Sequence, residues 1–150
     1  MKKILSILSL ILLFGCAATT QYVQRTDTNN DLNSDAKEYL AQIYVLRPSA
    51  YGSAITYKIY QDEKFIGELG PRSYLTWQVD PAEGPIDVIS KMENYAILPI
   101  TPEAGKTYYI KQKVKMGWVM ARTELELLTE EKALEILKKL KPPKTQYLIP

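Results

Sequence analysis

The residues that could carry out covalent or acid–base chemistry are few, and they lack the partners that known mechanisms need. The chain of 150 residues has one cysteine and no histidine, so a nucleophile has no imidazole base and the usual histidine–cysteine metal sites are excluded. Ser49 and Ser53 lie outside any Gly-x-Ser-x-Gly elbow. A carboxylate pair can hydrolyse glycosides, and the acidic candidates are Glu68, Asp80, Asp87 and Glu93. Because these fall mostly on turns or solvent-facing strand positions, we expect no catalytic residues, no metal and no cofactor.

The single cysteine stands where bacterial lipoproteins carry a lipid. Two lysines follow the initial methionine, and an apolar run of eleven residues covers 4–14, broken only by two serines. This is the layout of a secretory signal and is too short for a transmembrane helix, which needs about 20 residues. The run ends in Leu13-Phe14-Gly15-Cys16, which resembles a lipobox. The resemblance implies a signal peptide over 1–15, cleavage between Gly15 and Cys16, and a diacylglyceryl thioether on Cys16 with further acylation such as palmitate.

The residues that follow the cysteine bear on location. Ala17 is similar to the residue found in lipoproteins of the outer membrane, whereas an Asp at this position tends to retain the protein in the inner membrane. We therefore expect an outer-membrane protein that faces the periplasm. Residues 16–38 are rich in Thr, Gln, Asn and Asp and have no apolar periodicity. This composition predicts a disordered polar tether, and it follows the cysteine that the resemblance implies is lipidated.

A spacing like that of a calcium loop occurs inside this tether. Oxygen-bearing side chains fall at the ligand positions of an EF-hand loop: Asp27, Asn29, Asp31, Asn33, Asp35 and Glu38. Leu32 stands where that loop needs a glycine for its sharp turn, and no helix precedes the pattern. A chance match in an Asn- and Asp-rich segment explains the spacing better than a metal site does.

From Ala41 onwards the chain alternates apolar and polar residues with period two, which predicts strands. The predicted strands cover 42–47, 55–60, 65–69, 73–79, 86–91, 107–115 and 119–128. Pro99 and Pro102 predict a loop ahead of the last two strands, which should form a hairpin. Thr129 is expected to cap a helix that ends before Pro142-Pro143. Its apolar stripe consists of Ala133, Ile136, Leu137 and Leu140.

This pattern defines a fold class and a domain organisation. About seven short strands, with a turn every eight to twelve residues, predict a small antiparallel β-sandwich with one C-terminal α-helix packed on it. The folded domain should cover 39–141, and 142–150 should form a tail. The net charge is +2, and both excess lysines lie in the signal at Lys2 and Lys3. A nearly neutral chain argues against nucleic acid as a partner.

Several stretches of the domain together carry a family resemblance. These are 41–48, which opens the domain, 55–69, which ends in Phe65-Ile66-Gly67-Glu68-Leu69, and then 103–109 and 125–128. In this order they resemble the small bacterial lipoproteins that share domain of unknown function 2846. The family often has a Pro-Gly-Lys-His-like turn before its fifth strand, where this chain has Glu83-Gly84-Pro85. The resemblance implies a β-sandwich similar to carboxypeptidase-regulatory or PEGA-like modules, tethered in the cell envelope, and implies no known reaction.

Tyrosine is the unusual residue of the composition, with 11 Tyr and 2 Trp against 2 Phe. Alternation predicts that Tyr57 and Tyr108 are buried. Outer strand positions or loops predict exposure for the candidate contacts Tyr51, Tyr60, Tyr109 and Trp118. The function we expect is that of a non-enzymatic interaction or scaffold lipoprotein with an envelope protein partner. The alternatives are a module that binds peptidoglycan or surface polysaccharide through these aromatic residues and, less favoured, a hydrolase.

Overall fold

A computed structural model describes residues 21–22, 39–119 and 121–143, and in these ranges the chain forms nine strands, one α-helix and one short 3-10 helix. The strands are β1 (Gln21–Tyr22), β2 (Ala41–Arg47), β3 (Tyr57–Gln61), β4 (Lys64–Leu69), β5 (Ser73–Val79), β6 (Ile86–Lys91), β7 (Tyr95–Ile100), β8 (Thr107–Lys115) and β9 (Arg122–Leu128). The 3-10 helix is Pro81–Glu83, and the α-helix α1 is Glu130–Leu137. In the described ranges no helix has the length and apolar character needed to cross a membrane. The predicted signal, Gly15, Cys16 and the EF-hand-like spacing lie outside the described residues.

The strands form two sheets. Sheet A has the order β1-β4-β3-β6-β7, and sheet B has the order β5-β2-β8-β9. The neighbouring strands pair antiparallel, except that β2 and β8 are parallel. Parallel neighbours need a long connection, and here most of sheet A lies between them in the chain. The predicted sandwich with one C-terminal helix is confirmed, with this parallel pair and two additional strands as differences.

The core lies between the sheets and is built from the alternating positions that the sequence predicted. Its buried members are Ile43, Val45, Tyr57, Ile59, Ile66, Leu69, Leu75, Val79, Ile86, Val88, Ile100 and Ile110. The two central strands of sheet B, β2 and β8, both contribute side chains to this core. Each of them has a hydrogen-bonded neighbouring strand on either side. The predicted burial of Tyr57 is confirmed, and Tyr108 is half-buried against the same core.

Strand β7 corrects the sequence prediction of a loop around Pro99. Proline cannot donate a ladder hydrogen bond and is therefore tolerated mainly in edge strands. Strand β7 is an edge strand of sheet A, and Pro99 lies opposite Asp87 with its side chain exposed. Leu98 and Ile100 still point to the core. The sequence pattern around Pro99 predicted the end of regular structure, whereas this proline lies within a strand at the edge of the sheet.

Strand β1 also differs from the prediction, because it lies within the range assigned to a disordered tether. Gln21 pairs with Glu68 and Tyr22 pairs with Gly67 of β4. Two residues in a polar segment carry no periodicity, so the sequence held no signal for this strand. The pairing attaches the N-terminal segment to the edge of sheet A opposite β7.

Helix α1 covers the outer face of sheet B. Thr129 occupies the predicted cap position, although its side chain makes no capping hydrogen bond. The predicted apolar stripe packs onto the sheet, with Ala133 fully buried. Its contacts form a second, smaller core with Tyr44, Leu46, Tyr74, Tyr109 and Leu128. The prediction that Tyr109 is exposed is therefore wrong, because the helix lies over it and its ring stacks on Tyr44 at 5.3 Å.

The rest of the β8–β9 hairpin faces water through paired charges. Lys113 Nζ lies 3.0 Å from Glu124 and 2.8 Å from Glu126 across the two strands. Hydrogen bonds from Lys113 hold the pKa of both carboxyl groups below the ordinary value. Strand β9 begins at Arg122, later than predicted, so the connecting loop is longer than the sequence indicated.

Two isoleucine-to-alanine substitutions compare the core with the outer surface. Ile110→Ala removes a fully buried side chain from a central strand of sheet B and should lower the free energy of unfolding by about 3 kcal/mol. Ile97→Ala, on the edge strand β7 with 57% of the side chain exposed, should cost less than about 1 kcal/mol. Urea denaturation followed by tryptophan fluorescence measures both values. Equal losses would contradict the assignment of the two sheet faces.

Candidate functional site

A buried arginine organises one end of the sandwich. Arg47 ends β2 and has no exposed surface. Its Nη1 donates to the carbonyl oxygens of Ile55 at 2.8 Å and Leu69 at 3.1 Å, and its Nη2 donates to those of Tyr51 at 3.0 Å and Gly52 at 2.9 Å. One side chain of sheet B thus holds the end of β4 in sheet A and the whole segment 48–56.

The environment of this guanidinium is aromatic and carbonyl-rich. Its Cζ lies 4.7 Å from the ring centroid of the buried Tyr57, which is a cation–π contact. Burial lowers the pKa of Arg47, and the neighbouring Tyr57 opposes that shift. Burial also raises the pKa of Tyr57, against the effect of the arginine charge. Because Arg stays protonated in proteins, the site is a fixed positive charge stabilised by four main-chain carbonyl dipoles and the Tyr57 ring.

Segment 48–56 is shaped to meet this arginine. Gly52 has φ +67°, a left-handed conformation that disfavours other residues, and a Cβ there would lie 3.1 Å from Ile55 Cδ1. The Ser49 hydroxyl accepts a hydrogen bond from the Tyr51 amide at 3.0 Å. The turn so formed leaves the Tyr51 ring exposed while its carbonyl points inward.

The hairpin loop after β8 is fixed at the same end of the sandwich. The Glu93 carboxylate, in the turn between β6 and β7, accepts hydrogen bonds from the amides of Trp118 at 3.2 Å and Val119 at 3.4 Å. The next residue, Asn94, exchanges hydrogen bonds with the main chain of Thr123. We call the assembly of residues 48–56, 92–94 and 116–119 the hairpin end. It bears the most exposed large apolar side chains of the described residues: Met116 (82%), Trp118 (95%) and Val119 (90%).

The outer face of sheet A carries a second surface. Phe65, Tyr60, Ile89 and Ile97 lie side by side on four adjacent strands, each paired with the next in the strand register. The Tyr60 and Phe65 rings are 5.1 Å apart. We call these four residues the sheet A row. Towards the hairpin end, the next row on the same face of the sheet holds Glu68, Lys58, Lys91 and Tyr95. Lys91 Nζ lies 4.8 Å from the centroid of the Tyr95 ring. A side-chain hydrogen bond with Tyr95 raises the pKa of Lys91.

The structure thus separates the predicted aromatic contacts into three places. Tyr51 and Trp118 are exposed, as predicted, and both lie at the hairpin end. Tyr60 is half-buried in the sheet A row. Tyr109 is buried under α1 and is unavailable to a ligand in this conformation.

The acidic candidates have separate structural contacts. Glu68 accepts a hydrogen bond from the Thr56 hydroxyl at 2.9 Å, and Asp80 caps the 3-10 helix through the Ala82 amide. Asp87 lies at the opposite end of sheet A from Glu93, which holds the hairpin loop. In the described parts of the chain no three Asp, Glu, Cys or His side chains come together as metal ligands.

Two shallow clefts accompany these surfaces. One, of about 370 Å³, adjoins the hairpin end and is lined by Ile55, Thr56, Lys58, Lys91 and Met92. The other, of about 430 Å³, lies between α1 and Arg72 at the edge of sheet B. The first places two cationic side chains beside apolar ones, an arrangement suited to the boundary between water and an apolar phase.

A family model described as a protein of unknown function, DUF2846, matches residues 37–124. The chain belongs to this family. A Haemophilus influenzae protein described as uncharacterized is 31% identical over 137 residues, which cover 90% of this chain and 80% of that protein. No solved structure matches significantly. The family match covers β2 to the start of β9, and therefore includes Arg47 and both parts of the Glu93 contact.

Sequence reasoning missed Arg47, although the signal was present. Arg47 continues the alternation of the buried residues Ile43 and Val45, so its parity already placed it on the inner face of β2. A charged residue at a position where the alternation places buried side chains indicates a buried charge that is held by hydrogen bonds. Glu93 was noted only as an acidic candidate, since its partners are main-chain amides 25 and 26 residues away.

Replacing Arg47 tests its role in holding the hairpin end. Arg47→Met leaves one buried carbonyl oxygen, that of Leu69, and three partly buried ones without their donor, and an unsatisfied buried acceptor costs roughly 1–3 kcal/mol. We expect a loss of about 3 kcal/mol or more in the free energy of unfolding, together with faster proteolysis within 48–56. Arg122→Met, at an exposed position, is the matched control and should change stability by less than about 0.5 kcal/mol. Equal effects of the two variants would contradict the structural role.

Proposed function

We propose that this chain is a lipid-anchored envelope protein that acts as a non-enzymatic interaction module. The basic start, the short apolar run and the Leu13–Cys16 stretch support lipid attachment at Cys16. Each buried methylene contributes about 0.8 kcal/mol, so two or three acyl chains would make a nearly permanent anchor. Ala17 supports the outer membrane, with the domain facing the periplasm.

The observation that carries the interaction role is the difference between the two outer faces. Helix α1 covers the outer face of sheet B, whereas no element of the described residues covers the outer face of sheet A. The sheet A row presents aromatic and aliphatic side chains there, with Ile97 more than half exposed. Aromatic residues amid a polar rim are typical of protein–protein interfaces. We therefore propose an envelope protein as the partner of this face.

A glycan ligand is the second candidate. Exposed Tyr51 and Trp118 support it, because aromatic rings offer a flat apolar surface with a polar edge. In this alternative peptidoglycan or a surface polysaccharide would contact the hairpin end, while the sheet A row would be free of a partner.

Lipid attachment is tested by metabolic labelling with palmitate. The label should enter the wild-type protein and disappear in Cys16→Ala, which removes the thiol that forms the thioether. Ala17→Asp is the matched control: it should keep the label and shift the protein towards the inner-membrane fraction. Label that persists in Cys16→Ala would refute attachment at this residue.

The partner is tested by photo-crosslinking in intact cells. A photoreactive residue at Ile97 should capture one protein reproducibly, and the same residue at the exposed Glu131 of α1 should not. Ile89→Lys, in the same row, should abolish the capture without unfolding the domain. A photoreactive residue at Trp118 that yields a product whose size collapses on lysozyme digestion would instead support the glycan alternative. Absence of any reproducible product at Ile97 would contradict the interaction role.

A further inference from the structure

The direction of β1 determines at which end of the sandwich the N-terminal segment enters. Gln21 lies opposite Glu68 and Tyr22 opposite Gly67, antiparallel to β4. The direction from Tyr22 to Gln21 is therefore the direction along β4 from Gly67 towards Leu69, the last residue of that strand. The carbonyl of Leu69 is bound by Arg47 at the hairpin end. Of the two residues of β1, Gln21 is therefore the one nearer the hairpin end.

Covalent geometry limits how far this end can lie from the lipid. Cys16 precedes Gln21 by five residues. A fully extended chain spans at most about 3.6 Å per residue, so the two Cα atoms are at most roughly 18 Å apart. While β1 stays paired, residues 23–38 add nothing to this reach, because they follow β1 in the chain.

The surface at this end is suited to a lipid–water boundary. Met116, Trp118 and Val119 project from the hairpin loop, and Tyr51 and Tyr95 lie exposed around it. Tryptophan and tyrosine favour the headgroup level of a bilayer, where the ring is in an apolar region and its polar atom is hydrated. The opposite end of the sandwich is different: its β7–β8 connection is Thr101-Pro102-Glu103-Ala104-Gly105-Lys106, with an ion pair between Glu103 and Lys106.

The charges at the hairpin end are nearly balanced. Lys58 and Lys91 line the cleft beside the loop, and Glu68 is the register neighbour of Lys58. Lys115 pairs with Glu124 at 3.2 Å, and Glu93 accepts the two loop amides. Attraction to a surface at this end must therefore come mainly from the apolar side chains, with the two cleft lysines placed to meet lipid phosphates.

We propose that the hairpin end rests on the bilayer, with Met116, Trp118 and Val119 inserted into its headgroup layer. The inference rests on the lipid anchor proposed above and adds the orientation of the domain to it. The domain then lies against the membrane and is not suspended on a long tether. The outer face of sheet A extends from the hairpin end towards the opposite end of the sandwich. It therefore stays open to the periplasm and to a partner.

The orientation is tested with the full lipidated chain in vesicles of phosphatidylethanolamine and phosphatidylglycerol. Val119→Cys is labelled with an environment-sensitive fluorophore, and Ala104→Cys is the matched control at the exposed turn of the opposite end. Strand β8 separates the two positions by roughly 27 Å, at 3.4 Å per residue. The thioether occupies the native cysteine, so each variant has one free thiol. We expect the label at 119 to shift to the blue and to lose most of its emission to nitroxide-bearing lipids, while the label at 104 changes little.

Each of the other outcomes overturns the orientation in a recognisable way. If the protein floats with the vesicles but both labels respond alike, the orientation is wrong and the anchor stands. If the protein carries no fatty acid and does not float, the anchor and the orientation both fail. If, in intact envelopes, a water-soluble quencher cannot reach the label at 119 and nitroxide lipids do not quench it, a protein covers the hairpin end. Trp118→Glu is the second variant, and it should reduce the lipid quenching at 119 while palmitate labelling is unchanged.

Discussion

The buried guanidinium of Arg47 is the constraint on which the arrangement of the two sheets depends. Hydrophobic packing between sheets is strong but non-directional, so it fixes their relative position only loosely. Arg47 adds four directed hydrogen bonds that reach from β2 to the end of β4 and to segment 48–56. A buried charge is tolerated only when it is well hydrogen-bonded, and this requirement fixes both the turn at Gly52 and the end of β4.

Further polar contacts between the sheets cluster on the same side of the core. Ser90 of sheet A and Thr123 of sheet B are hydrogen-bonded at 2.7 Å inside the sandwich, and within sheet B Gln112 donates to Thr123 at 3.1 Å. Glu93 and Asn94 continue this line to the surface through the hairpin loop. Segment 48–56 is therefore held by the buried Arg47, whereas the loop that carries Trp118 is held by the exposed carboxylate of Glu93.

In the proposed lipoprotein the two surfaces would not compete for space. Gln21, the residue of β1 nearer in sequence to Cys16, lies nearer the hairpin end, and the sheet A row lies on a face that α1 does not cover. The helix meanwhile buries Tyr109 and partly covers Tyr44 and Tyr74, which explains why a tyrosine-rich chain exposes only part of its aromatic content. The chain belongs to the DUF2846 family and is similar over most of its length to a Haemophilus influenzae protein.

The sequence by itself determined the elements whose signals are local. Period-two alternation located β2, β5, β6 and β8 within a residue, and the stripe from Ala133 to Leu140 located the helix, because side-chain periodicity depends only on the neighbours in the chain. Tertiary structure decided what depends on distant partners. In the tertiary structure β2 pairs with β8 in parallel. Pro99 is tolerated in a strand because that strand lies at the edge of its sheet, and Tyr109 is buried because α1 packs over it. The tertiary structure also joined β1 to β4 and Arg47 to four carbonyls, since a polar residue shows in the sequence that it needs partners but not which ones it finds.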